Sequence, residues 1–110
     1  MPVRTVGLKK VATITIPAGG RAALSSTNIF ATDFEIYFPT ANVGNVAYVG
    51  DSTVDNTWIP RKKDNPYNFV SGTGSLGGTI PELGFNLAKI FVAGTSGDTA
   101  IVQYFWYDRT

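Results

Sequence analysis

Asp51 and Asp55 stand on one loop with Asp64 a little further on, the closest grouping of carboxylates outside the strands. Oxygen ligands at such spacing suit a hard cation such as Ca²⁺, which takes 6–8 of them. The glycine and terminal glutamate of an EF-hand loop are absent, and Asp51 followed by Ser52 reads as an Asx turn in preference to a ligand pair, so no metal is assigned. The eight acidic residues also leave room for the carboxylate pair of a glycosidase. Such a pair must lie about 5–10 Å apart beside a sugar cleft, and nothing local marks one. Gly72-Thr-Gly-Ser-Leu-Gly77 matches the G-x-G-x-x-G pattern of dinucleotide sites, which works through a helix N-terminus. Gly78 and Pro81 follow at once with nothing helical beyond, which makes the segment a loop. Arg61, Lys62 and Lys63 form the one charge cluster, suited to phosphates or to an acidic protein surface, or simply to a solvated loop beside Asp64.

Histidine and cysteine are both absent. Their absence removes Ser-His-Asp triads, HExxH zinc sites, thiolate nucleophiles, disulfides and imidazole switches. We expect no enzyme and no cofactor. Nine Lys and Arg against eight Asp and Glu give a net charge of +1, too little to draw in nucleic acid or an anionic membrane. The start, MPVRTVGLKKVATITIPAGG, has no uninterrupted apolar signal-peptide core, and no apolar run nears the ~20 residues of a membrane helix. Synthesis in the cytoplasm, with no membrane partner, is the expectation.

The elements that must carry these residues read as strands. Phe34, Ile36 and Phe38 alternate with Asp33, Glu35 and Tyr37, the period of a half-buried strand, and Pro39, Asn42, Gly44 and Asn45 then break the run. With Val46–Val49 this predicts a hairpin or a tight corner over Asp33–Val54, half of a sandwich. Val11–Ile16 is a strand with Ala12, Ile14 and Ile16 on one face, closed by Pro17-Ala-Gly-Gly and followed by a shorter return strand, Arg21–Leu24. Ser25–Asn28 is a loop, or a helical turn capped by Ser26 or Thr27. Trp58–Ile59, Tyr67–Val70, Asn86–Val92 and Thr99–Tyr107 are further extended runs. Ser71–Gly78 is a loop, and Thr79–Gly84, with Pro81, makes at most a turn. About eight short strands with no 3.6-residue periodicity give an all-β class, sandwich or small barrel. Residues 1–10 are an arm or edge strand, docked on a neighbour or paired along the chain's own sheet; residues 11–110 form a single β-sandwich domain.

Two features suggest a covered surface. Charged residues are only 15% of the chain, against about 25% in typical domains. Along Tyr104-Phe105-Trp106-Tyr107 alternation sends two aromatics to each face, and a two-layer sandwich buries only one pair. The other pair calls for the arm or another subunit as cover.

NVAYVGDSTV (Asn45–Val54), the return at Ile59-Pro60 and FNLAKIFVAGTSGDTAIVQYF (Phe85–Phe105) together resemble small tailed-bacteriophage virion proteins of the head decoration, or cement, type. The resemblance covers about the last two thirds of the chain and extends to modules of phage tails and baseplates. Arg61-Lys62-Lys63 stands where that pattern has an apolar-Pro-Gly turn. The resemblance implies a jelly-roll-like antiparallel β-sandwich, often trimeric, seated on the major capsid protein at the virion's capsid surface and bracing the shell. A tail or baseplate module that binds a host surface glycan is the alternative. The interface candidates come from the residues themselves: Val3 and Arg4 on the arm, Arg61, Lys62 and Lys63 on the basic segment, and Phe105 and Tyr107 on the aromatic strand.

Overall fold

The computed structural model describes residues 3–10, 13–70 and 85–109, with side chains described over 13–70 and 85–105. Val11 and Ala12, and the segments Ser71–Gly78 and Thr79–Gly84 for which the sequence predicts a loop and a turn, lie outside the described residues, as does the side chain of Tyr107.

Ten strands occur among the described residues: β1 (Val3–Lys10), β2 (Ile14–Thr15), β3 (Arg21–Ala23), β4 (Phe30–Tyr37), β5 (Val46–Gly50), β6 (Arg61–Lys62), β7 (Pro66–Val70), β8 (Phe85–Asn86), β9 (Phe91–Ala93) and β10 (Thr99–Arg109). Every pairing is antiparallel. One sheet runs β1-β10-β4-β7, with β2 also on β10 and β8 also on β4; the other runs β3-β9-β5-β6. Set aside the arm β1 and the short β8, and the orders β2-β10-β4-β7 and β3-β9-β5-β6 remain. Each connection then crosses from sheet to sheet except the hairpin β5–β6, which is the double Greek-key winding of a jelly roll.

The alternation read in β4 places Phe34, Ile36 and Phe38 in the core and leaves Glu35 exposed. They meet Ala47, Val49 and Val92 of the opposite sheet and Ala100, Val102 and Tyr104 of β10. Burying such side chains stabilises by about 1.5–3 kcal/mol each. Phe34 stacks on Phe69 at 4.7 Å between ring centroids and takes the edge of Phe85 at 5.1 Å, arrangements that favour the ring quadrupoles. Upstream the phase slips. Ala31 is buried although it lies three residues before Phe34, because the register against β10 jumps from Phe105–Asp33 to Trp106–Ala31 and leaves Thr32 as a bulge.

Of the two readings of Asp33–Val54, hairpin or tight corner, the structure has the corner: β4 and β5 belong to different sheets, and the Pro39–Asn45 segment joins the layers. Three expectations about the strands change. Arg21–Ala23 is not a return strand on β2 but the edge of the opposite sheet, paired with β9. Trp58–Ile59 adds no strand; instead the indole ring lies against Gly50, where a Cβ would come within 2.4 Å of it. Asn86–Val92 is interrupted by a 3-10 turn, Leu87–Lys89, because the Asn86 side chain accepts the Ala88 amide at 3.1 Å and caps it. Ser25–Asn28 forms no helical turn; the Ser25 hydroxyl accepts the Thr27 amide as a local turn.

One end of the sandwich is tied by two buried polar side chains. Asp98 accepts the amides of Val43 and Gly44, one on each carboxylate oxygen, both at 2.8 Å. Asn42 brackets Thr99, donating to its carbonyl and accepting from its amide at 2.9 Å each. The β4–β5 corner is thereby fixed to the β9–β10 turn. Gly44 is required there, since a Cβ would lie 2.6 Å from the Thr95 hydroxyl.

Candidate interaction surfaces

The basic segment does not act as one cluster. In the β5–β6 register Arg61 stands opposite the buried Ala47 and Lys62 opposite Val46, so the two side chains take opposite faces. Arg61 turns inward. Its guanidinium lies 5.0 Å from the Phe69 ring centroid and 5.4 Å from that of Tyr67, within cation–π range, and closes the open edge between the sheets. Its Nε is buried without a hydrogen-bond partner among the described residues, and the faces of the two rings lie against the guanidinium. Lys63 is half-buried and donates through Nζ to the Asn42 carbonyl at 2.6 Å. Of the three, Lys62 is exposed; its amide donates to the Tyr67 hydroxyl at 2.6 Å. The segment is mostly a structural clasp with one outward charge.

Two of the carboxylates considered as ligands serve their own loops, and the third ties its turn to the end of β4 and the corner beyond it. Asp51 Oδ1 accepts the Thr53 hydroxyl and amide, and Asp55 Oδ1 accepts those of Thr57, two successive Asx turns. These bonds hold both carboxyls below their ordinary value of 3.8, hydroxyl first and amide second, with Arg21 adding slightly at Asp55. Asp64 takes a left-handed φ of 69° and accepts the hydroxyls of Thr40 and Tyr37 at 2.8 Å each. Those two donors depress its pKa, Thr40 foremost. Among the described residues no three acidic side chains gather as a metal-binding group.

Phe105 lies on the outer face of the six-stranded sheet, opposite Asp33, which in turn stands opposite Val70 of β7. Tyr104 beside it is buried in the core. Phe105 is 39% exposed, Val70 61% and Phe30, one residue before the inward Ala31, 53%. Three large apolar side chains thus share one end of this face, with Asp33 standing between Phe105 and Val70. The arm borders it: β1 pairs with β10, the register setting Val3 opposite Arg109, Arg4 opposite Asp108 and Leu8 opposite Phe105.

The opposite face of the sandwich carries a feature that sequence reading missed. Arg21 of β3, Tyr48 of β5 and Ala93 of β9 stand abreast on the outer side of the four-stranded sheet. Around them the β2–β3 turn, the β4–β5 corner, the β9–β10 turn and the loop after β5 enclose an open depression of about 410 Å³. Its residues come from four segments spread over the chain, and no local motif announces such a convergence. Compared with family models, curated proteins and solved structures, the chain matches none of them.

Proposed function

We propose that this chain is a non-enzymatic structural protein of a phage virion, one that decorates the capsid surface and stabilises the head by bridging subunits of the major capsid protein, itself assembled as a homo-oligomer, with a trimer favoured. The observation that carries this reading is the apolar end of the six-stranded sheet, where Phe105, Val70 and Phe30 stand outward together. Aromatic and aliphatic side chains grouped on an outer face mark a surface that gains by being covered. The low charge content, the jelly-roll winding and the resemblance of Asn45–Val54 and Phe85–Phe105 to head decoration proteins agree with it. Many copies of a small module, each adding buried area across joints between capsid subunits, make contacts that must break together.

Phe105→Ser tests the reading, because the ring lies outside the core. Losing about 1–2 kcal/mol of burial per copy should lower attachment to purified heads about 5–30-fold, with the thermal midpoint of the free protein little changed. Unchanged occupancy on the particles would remove this face as the docking surface.

A further inference from the structure

The depression on the four-stranded sheet lies on the side of the sandwich away from the apolar patch, and it has the chemistry of a ligand site. Gly20 and Gly94 lie in its lining and bring backbone close to anything that enters. Arg21, Asn45, Tyr48, Asp55 and Asn56 supply the side chains. We infer that this depression binds a neutral saccharide.

Charge excludes the main competitors. A phosphate or carboxylate ligand that satisfied Arg21 would be brought against ionised Asp55, and an ammonium ligand that satisfied Asp55 would meet Arg21. A polyol takes both: its hydroxyls donate to the carboxylate and accept from the guanidinium, and the two amides offer a donor and an acceptor each. Half-buried Tyr48, with Val46 and Ala93 beside it, gives the apolar surface on which the C–H face of a pyranose ring rests. The volume falls within the roughly 300–1,000 Å³ of small-molecule sites.

The two charged groups, and part of the backbone wall, are also held in place before any ligand arrives. Asp55 is fixed through Oδ1 by Thr57, and Arg21 Nη1 donates to the Ser52 carbonyl at 2.6 Å. The Asp98 clamp on Val43 and Gly44 sets the neighbouring wall, and the Lys63 amide holds the Asn45 carbonyl at 3.0 Å. Such preorganisation spares a ligand the entropy of ordering its site.

The test is an amide-resolved NMR titration of the labelled protein with the methyl glycosides of glucose, galactose, mannose and N-acetylglucosamine at millimolar concentration, with inorganic phosphate as comparison. At least one glycoside should shift the amides of Gly20, Tyr48 and Asn56 in a saturable way, and phosphate should not. Tyr48→Ala and the exposed Asn56→Ala should each weaken that binding about tenfold while their spectra remain those of a folded sandwich. The inference is overturned if no glycoside shifts these amides, if phosphate alone does, or if Asn56→Ala, folded, binds like the parent.

Discussion

Asp64 shows how a single side chain can hold a turn and make it sensitive to acid. Its left-handed backbone is one that Asp and Asn tolerate better than most residues, and its carboxylate gathers the hydroxyls of Thr40 and Tyr37 from the β4–β5 corner. Because its pKa is depressed by folding, the stabilisation is complete above its ordinary value of 3.8 and is lost as pH falls through the lower folded value. Asp51 and Asp55 act in the same direction. Asp64→Asn keeps the turn but removes one of these titrations, so its urea midpoint should fall less steeply than the parent's below pH ~4. Parallel acid limbs for the two proteins would count against the role given to this carboxylate. Arg61 illustrates what residue types alone withhold. Beside Lys62 and Lys63 it reads as surface charge, yet in a strand of two residues no alternation reveals its face. Only the pairing with Ala47 shows that it points inward, onto rings that come from β7.

At the scale of elements, corner and turn are bound by one carboxylate. Asp98→Ala would leave the part-buried amides of Val43 and Gly44 without their carboxylate acceptor, at a cost of about 1–3 kcal/mol. Asp98→Asn retains one acceptor oxygen and should lose less. Chemical denaturation measures both, and a loss below ~0.5 kcal/mol for Asp98→Ala would show that the latch is not stabilising. The strands themselves were largely legible, since Phe34, Ile36 and Phe38 declare their face and Gly, Pro and Asn punctuate the runs. Their partners were not. The Pro39–Asn45 break serves a hairpin or a corner equally well, and the Asn86 cap turns a regular apolar alternation into a strand, a turn and another strand. The bulge at Thr32 arises only from the register with β10, which no local pattern contains.

For the whole molecule, β10 is the spine. At ~3.3 Å per residue its eleven residues reach about 36 Å, most of the 46 Å long axis. Beyond Trp106 its one partner among the described residues is β1. Removing residues 1–8 should therefore leave the sandwich cooperative with a thermal midpoint lower by a few degrees. Hydrogen exchange should meanwhile show loss of protection at the amides of 105–109. Protection that survived the deletion would mean that the arm does not hold this end. The two proposed surfaces also divide cleanly, the apolar patch on one sheet and the saccharide depression on the other, so a copy seated on a shell would keep its groove turned outward. The winding carries a further consequence, for the order of events in synthesis. β2 at Ile14–Thr15 pairs with Thr99–Ala100, and β3 at Arg21–Ala23 with Phe91–Ala93. The ribosome thus delivers each early strand long before its neighbour exists, and loop closure over such separations makes folding slow. Until β10 emerges, the nascent chain has unpaired edges and an uncovered apolar face, an interval in which crowding by sister chains favours entanglement over folding.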